Sequence, residues 1–147
     1  MIDLAHATVV VDRALAEGRR LGLPPLTVAV LDGSGCLVSF KREDGASLLR
    51  PEIAQAKAWG ALGMGMGSRA LAQRAAVQPA FISAVNALAG GRLIPVPGGV
   101  LIRLSTKSII GAVGITGATS DQDEACAVAG IEAAGFSADT GADQAAK

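Results

Sequence analysis

The stretch that decides the fold reads Pro97-Gly98-Gly99, then Gly111-Ala112-Val113-Gly114-Ile115-Thr116-Gly117-Ala118, then Ser120-Asp121-Gln122-Asp123-Glu124. A tight turn leads into one β-like run, a second β-like run with glycines follows, and a helix starts directly afterwards. Glycine-rich backbone beside a helix N-terminus is costly in an ordinary hydrophobic core. It is suited to a site where a small polar ligand approaches the main chain. We therefore interpret this stretch as strands of a sheet and as one wall of a composite pocket.

A helix and a hairpin are predicted upstream of this stretch. Residues 3–21 show helical spacing of apolar side chains, with Leu4 on the apolar face and Asp3 as the cap. Residues 26–31 are typical of a buried strand, and residues 36–42 of its return strand after an Asp/Gly turn. The chain is therefore expected to open with a helix followed by a hairpin.

Two helices are predicted in the middle of the chain, one beginning near Pro51 and the other over residues 79–89. The glycines of residues 60–67 weaken the end of the first helix, each by about 1 kcal/mol relative to alanine. They either loosen its last turns or let another backbone come very close.

Strands and a final helix are predicted for the last third, over residues 93–94, 100–104, 108–116 and 120–134. Ser120 is expected to cap that helix, with Asp123 at the position of a capping-box acid. The order of helix, hairpin, helices, meander and helix predicts an α+β domain, in which helices pack a mainly antiparallel five-stranded sheet. We expect the domain to span residues 1–136 and the small, polar residues 137–147 to form a flexible tail.

Composition excludes several classes of protein. A chain of 147 residues suits one domain with a proper core, and its formal net charge is zero. Scarce aromatic residues and the lack of a basic block argue against a nucleic-acid platform. Half of the residues are apolar, which favours a homo-oligomer over the alternative of a compact monomer. With no secretion signal and no bilayer-spanning run, we expect a cytoplasmic protein whose Cys36 and Cys126 are free, buried thiols.

A series of motifs occurs in one order along the chain: Val28-Ala29-Val30-Leu31-Asp32 with Gly35, Lys41-Arg42-Glu43-Asp44-Gly45-Ala46, Ala56-Lys57-Ala58, Pro97-Gly98-Gly99-Val100, the run 111–118 and Gln122-Asp123-Glu124. In that order the motifs resemble the GlcG/HbpS-like family of haem-binding or haem-degrading domains. The same pattern is similar to the C-terminal domain of PduO-type proteins. The resemblance implies this α+β fold, handling of haem or a corrinoid, a place in organic acid metabolism, and octameric assembly.

The chain departs from the family pattern over residues 59–67. Trp59-Gly60 stands where the family usually has a Tyr-Thr-like pair, and a Gly-Met-Gly-Met-Gly run follows at residues 63–67. These changes are expected to reshape a pocket, so ligand specificity particular to this chain is expected to reside there.

Arg42, Asp44 and Lys57 form one candidate site. Arg42 ends a strand, Asp44 lies in the next loop and Lys57 is about two turns into the following helix, so the chain can bring them together. An arginine can hold a carboxylate with two hydrogen bonds, and a partly desolvated lysine can act as an acid or base. The structural alternative is an ordinary Arg–Asp salt bridge with Lys57 exposed.

Further candidates lie in the glycine-rich stretch and beside Lys57. Gly98 and Gly99 can direct backbone N–H groups at an anion, or can form a turn that needs a positive φ. Asp123 can hold a substrate hydroxyl or act as a base, or can cap its helix. Trp59 is either one wall of a pocket or part of the core.

Haem, implied by the resemblance, requires iron ligands such as His, Cys, Met or Tyr. The single histidine, His6, is expected on the helix face opposite Leu4, where a solvated or interface position is the alternative to a metal ligand. Met64 and Met66 are expected to fill gaps in a core or an interface. No cluster with metal-ligand spacing occurs, and a Ser-His-Asp set would have to use His6.

Two functions remain open from the sequence. The first is a cytoplasmic, oligomeric accessory protein that binds a small organic acid or a tetrapyrrole through Arg42, Asp44, Trp59, Gly98 and Gly99. The alternative is a lyase, isomerase or hydrolase acting on a keto or hydroxy acid, with an arginine clamp and Lys57 or Asp123 as the acid or base. The scarcity of His, Cys and Tyr favours binding, and a structural subunit without a ligand is a third option.

Overall fold

A computed structural model describes residues 1–142 and forms one five-stranded antiparallel sheet with helices on both faces. The sheet order is β2-β1-β4-β3-β5, so β4 is the central strand. The elements, in chain order over these residues, are α1 (Leu4–Arg20), β1 (Thr27–Asp32), β2 (Leu37–Arg42), α2 (Arg50–Met64), α3 (Ser68–Val77), α4 (Pro79–Leu88), β3 (Gly99–Arg103), β4 (Ile109–Thr116), α5 (Ser120–Ala133) and β5 (Ser137–Asp139). The α+β fold with a five-stranded antiparallel sheet, expected from the sequence, is confirmed.

The two faces of the sheet carry different residues because side chains alternate along each strand. Val113 and Ile115 of β4 point with the other large branched residues into the main core under α1 and α5. Ala112 and Gly114, on the opposite face of β4, lie under α2, and α3 and α4 pack beside α2. The sheet therefore has a thick apolar core on one side and a thin contact with α2 on the other.

Glycines make that thin contact possible. Gly99 of β3 and Gly114 of β4 are cross-strand partners beneath α2. A Cβ at Gly114 would lie 1.8 Å from the Ala54 carbonyl oxygen, and one at Gly99 would lie 2.2 Å from the Lys57 carbonyl oxygen. The glycine-rich strands thus bring α2 down onto the sheet backbone, which fixes the position of Lys57.

Two segments in the middle of the chain differ from the sequence prediction. Residues 93–94 are not a strand, because the Leu93 amide donates to Asn86 Oδ1 at 3.0 Å and its side chain packs over Gly60. Helix α3, which follows Gly67, was not predicted. Its first residue, Ser68, is buried because its hydroxyl bonds to the sheet at Gly99.

The C-terminal segment also differs from its prediction. Ser137–Asp139 is not a flexible tail but forms β5, the edge strand beside β3. Asp139 Oδ2 accepts a hydrogen bond from Arg103 Nε at 2.8 Å, which ties the segment to the sheet. The last five residues of the expected tail, 143–147, lie outside the described residues.

The sequence also predicted the exposure of Leu4, Cys36 and Cys126. Leu4, the first residue of α1, is largely exposed rather than part of its apolar face, which is formed by buried residues further along the helix such as Val10, Val11 and Ala14. Cys126 is buried as expected, but Cys36 is exposed because it follows the hairpin turn before the edge strand β2. Both cysteines are free.

Within residues 1–142, no helix combines the length and the apolarity that crossing a membrane requires.

Candidate functional site

A buried ion pair joins α2 to the start of α5. Lys57 Nζ lies 3.2 Å from Asp123 Oδ2 and donates to the Ile115 carbonyl oxygen at 2.9 Å. The side chains of Lys57 and Asp123 are only 3% and 2% exposed. The two residues that the sequence predicted as acid or base therefore lie together, and their polar atoms are hydrogen-bonded within the protein.

The N-terminus of α5 explains why Asp123 is available for this pair. The cap is Thr119, not Ser120, and the capping box is completed by Gln122, not Asp123. Asp123 therefore lies one position beyond the box, on the face of α5 that turns inwards. Its Oδ1 accepts the Ala118 amide at 3.0 Å, so both carboxylate oxygens have partners.

The Pro97-Gly98-Gly99 turn makes room for the ion pair. A Cβ at Gly98, which has φ +121°, would lie 2.8 Å from Lys57 Nζ and 2.8 Å from the Ile115 carbonyl oxygen. The Gly99 amide donates to Ser68 Oγ at 2.7 Å, so this N–H group is already used inside the protein. Ser68 was missed by the sequence reasoning because nothing in its local pattern places it against β3.

The electrostatics of the pair follow from its burial. Loss of hydration lowers the pKa of the Lys57 ammonium group below its ordinary value of 10.5, while the attraction of Asp123 opposes this shift. Loss of hydration also raises the pKa of the Asp123 carboxyl above 3.8, against the attraction of Lys57. Burial thus disfavours both charges, and the attraction between them offsets part of this cost.

The pair is expected to shape the pH dependence of stability. Just below pH 10.5, the unfolded chain holds the Lys57 proton more tightly than the folded chain, so the free energy of unfolding rises with pH there. Just above pH 3.8, the folded chain holds the Asp123 proton more tightly, so the free energy of unfolding falls as pH rises. Relative to the double variant Lys57→Met/Asp123→Asn, the wild type should therefore lose stability as pH rises just above 3.8 and gain stability as pH rises towards 10.5, as measured by denaturant unfolding. Parallel profiles for the variant and the wild type would contradict this account.

Arg50, a further cation near the pair, was also missed by the sequence reasoning. Its Nη1 donates to Thr116 Oγ1 at 2.7 Å, and its charge lowers the pKa of both Lys57 and Asp123. The available signal was its spacing, seven residues or about two turns before Lys57 on the same face of α2. Next to Thr116, the cross-strand Thr27 buries a hydroxyl that has no hydrogen-bond partner within residues 1–142.

Arg42 and Asp44 lie in a different place, an open pocket of about 470 Å³ that Arg19, Pro25 and Glu43 also line. Arg19 pairs there with Glu43 at 3.0 Å. Arg42 donates from Nη1 to the Ala46 carbonyl oxygen at 3.1 Å, and both Arg42 and Asp44 are exposed. The structure therefore does not bring these two residues together with Lys57 and Asp123.

Trp59 belongs to a third region, at the outer face of α2. It lines two adjoining pockets of about 310 Å³ and 350 Å³, and Arg92 lines both as well. The Arg92 guanidinium carbon lies 3.9 Å from the centre of the Trp59 ring, which is the geometry of a cation–π contact. Arg92 was missed because thirty-three residues separate it from Trp59 and no motif links the two.

Solved structures share this fold over nearly the whole chain. A PduOC–haem complex superposes with a TM-score of 0.82 at 24% identity, covering 92% of this chain and 96% of the other, and this likeness shows the fold alone. The Klebsiella pneumoniae protein ORFY superposes with a TM-score of 0.80 at 26% identity and 90% coverage of both chains. A double mutant of HbpS from Streptomyces reticuli gives 0.75 at 26% identity, covering 89% of this chain and 85% of the other.

The family is shown by a sequence model. No curated protein sequence matches the chain. The family model described as "Haem degrading protein HbpS-like" matches residues 2–132, which include the buried pair, the Gly98-Gly99 turn and both Arg-lined regions. The chain belongs to the HbpS-like family.

Proposed function

We propose that this chain is a cytoplasmic, oligomeric accessory protein that binds a small ligand, either a small organic acid or a tetrapyrrole such as haem or a corrinoid. The observation that carries the proposal is the separation of the acid–base pair from the pockets. Lys57 and Asp123 are buried against each other, whereas the pockets are lined by Arg42 on one side of the molecule and Arg92 on another. Open, arginine-lined pockets that lie apart from the Lys57–Asp123 pair suit binding more than catalysis.

The alternative, a lyase, isomerase or hydrolase acting on a keto or hydroxy acid, needs Lys57 or Asp123 to reach its substrate. A general acid or base must come within hydrogen-bond distance of the proton that it transfers. Lys57 Nζ instead contacts Asp123 and the Ile115 carbonyl oxygen, and neither side chain is exposed. This arrangement favours the binding function.

His6 is the residue that would hold the iron of a bound haem. Its Nδ1 lies 2.7 Å from Asp3 Oδ1, and its half-exposed ring lies 5.3 Å from the Phe136 ring. A carboxylate on one ring nitrogen orients a histidine so that the other nitrogen can ligate a metal. In the described part of the chain, no group of three or more His, Cys, Asp or Glu residues is arranged to hold a bare metal ion. If haem is the ligand, His6 would hold its iron through the ring nitrogen that Asp3 does not contact.

Titrations with haem and with a panel of organic acids test the binding function. We expect either a shift of the Soret band on adding haem or a rise in melting temperature with at least one acid, because a ligand that binds only the folded state stabilises it. If the ligand is haem, His6→Gln should abolish the shift of the Soret band, while Thr8→Ala on the same helix should not. The absence of both a Soret shift and any melting shift would refute the proposed function.

Exposed apolar side chains support an oligomer. Leu48 is 85% exposed in the loop before α2, and Val77 is 78% exposed at the end of α3. Leu49 follows Leu48 in the chain and is also exposed, and so is Phe81 in α4. Isolated exposed apolar residues are ordinary, but adjoining ones mark an interaction surface.

The free, exposed thiol of Cys36 supports a reducing compartment such as the cytoplasm.

Replacing Leu48 tests assembly. Leu48→Asp should convert the oligomer into smaller species, because it places a charge in an apolar interface. Size-exclusion chromatography with light scattering gives the mass, and circular dichroism checks that the fold is retained. The neighbouring Ser47→Asp adds the same charge without removing apolar surface and should leave the mass unchanged. A monomeric wild type would contradict the oligomer.

A further inference from the structure

One glycine of α2 has no structural reason to be a glycine. Gly63 lies in the last turn of the helix, where glycine costs about 1 kcal/mol relative to alanine. A Cβ at Gly63 would have no atom within 4 Å, whereas a Cβ at Gly60 would lie 2.7 Å from Leu93 Cδ1, and Gly65 adopts φ +67°. Gly63 lines the 350 Å³ pocket, and because glycine has no side chain, the pocket stays open at this position.

The walls of this pocket, which we call the Trp59 pocket, are largely apolar. It lies between the end of α2, the end of α4 and the segment that follows α4. Its volume falls within the range of small-molecule sites, about 300–1,000 Å³. The residues that define it are Trp59, Gly63, Met64, Val85, Leu88 and Arg92.

Arg92 is the charged group at this pocket. Its Nε donates to the Ala89 carbonyl oxygen at 3.1 Å, and its guanidinium group stacks on Trp59. Within residues 1–142, no carboxylate lies within 4.0 Å of its nitrogen atoms, in contrast to Arg69 and Arg103, which are paired with Asp or Glu. A guanidinium that is fixed by stacking and retains free N–H donors is suited to bind a carboxylate.

We propose that the Trp59 pocket binds a monocarboxylate with an apolar body, either aliphatic or aromatic. The carboxylate pairs with Arg92, and the body lies between Trp59, Met64 and Val85 in the space that Gly63 leaves open. This inference rests on the proposed small-ligand function and names the site and ligand class for it. It also disfavours small hydroxy acids, which have too little apolar surface to fill such a pocket.

Trp59 itself is the reporter for the test, because the chain contains a single tryptophan. Octanoate does not absorb light at the wavelengths that excite tryptophan. Its binding should change the fluorescence emission of Trp59 in a saturable way and raise the melting temperature of the full chain. Octanol, with the same body and no charge, should bind about tenfold more weakly, since it lacks the charged partner for Arg92. Glycolate, with the charge and no body, should produce no change. Phenylacetate distinguishes an aromatic from an aliphatic ligand.

Two variants locate the site. Gly63→Leu should fill the pocket and abolish the octanoate response, while its melting temperature should not fall, because leucine is the better helix former. Arg92→Gln should weaken octanoate binding about tenfold and leave octanol binding unchanged. Arg13→Gln, which removes an exposed arginine from α1, should bind octanoate like the wild type.

The outcomes separate this inference from the proposed function. If octanoate or another acid stabilises the protein but Gly63→Leu binds it equally well, the Trp59 pocket is not the site and only this inference fails. If Gly63→Leu changes the oligomer mass and octanoate has no effect, the pocket accommodates a second copy of the chain and the inference fails as well. If no acid and no haem binds, the proposed function also fails.

Discussion

Replacing Asp123 with alanine is expected to lower the free energy of unfolding by about 3–5 kcal/mol. The change leaves the Lys57 ammonium group buried beside the Ile115 carbonyl oxygen without its counter-charge, and it also leaves the Ala118 amide without an acceptor. Removing one member of a buried ion pair costs more than the pair contributes, because the remaining charge stays out of water.

Urea unfolding of the variant at neutral pH measures this effect. Asp121→Ala is the matched control, since Asp121 is an exposed carboxylate two residues earlier in the same helix, and its loss should cost less than about 1 kcal/mol. The double variant Lys57→Met/Asp123→Asn should recover most of the loss, because no charge remains buried. A loss below about 1 kcal/mol for Asp123→Ala would show that the pair is not buried as described.

A single added methyl group at Gly114 should be nearly as damaging. Gly114→Ala is expected to lower the free energy of unfolding by about 3 kcal/mol or more, at or above the upper end of ordinary overpacking. The new Cβ would lie 1.8 Å from the Ala54 carbonyl oxygen and 2.9 Å from the Ala58 amide nitrogen. These are backbone atoms of a helix held by the sheet, so relief requires α2 to move as a whole.

The matched control for Gly114→Ala is Gly63→Ala, which changes a glycine of α2 itself. A Cβ at Gly63 meets no atom within 4 Å, and alanine is the better helix former, so this change should stabilise the protein by up to about 1 kcal/mol. Thermal and urea unfolding of both variants give the comparison. Similar effects of the two substitutions would contradict the close contact between α2 and the sheet.

The fold was predictable because its strands and most of its helices have strong local signals. The Asp/Gly turn, the continuous apolar run of β4 and the proline starts of α2 and α4 act over a few residues. Helix α3 and strand β5 lack such signals: Ser68 is held by Gly99 and Asp139 by Arg103, contacts that span more than thirty residues.

The sequence identified both members of the buried pair but not that they form a pair. Lys57 and Asp123 were both selected for their chemistry, but the sequence pattern joined Lys57 to Arg42. Sixty-six positions separate Lys57 from Asp123, and only the packing of α2 onto Gly99 and Gly114 brings them within 3.2 Å. The same glycines were interpreted as one wall of a ligand pocket. A helix and a ligand that approach the backbone closely both require glycine, so the sequence does not distinguish them.

Ligand binding by the double variant Lys57→Met/Asp123→Asn tests most directly the central claim that this protein binds a ligand outside the buried pair. The same titrations with haem and the organic-acid panel should give the wild-type response, because the pair lies apart from the Arg42 pocket and the Trp59 pocket. A folded double variant that no longer binds the ligand of the wild type would contradict the account and return Lys57 and Asp123 to the functional site.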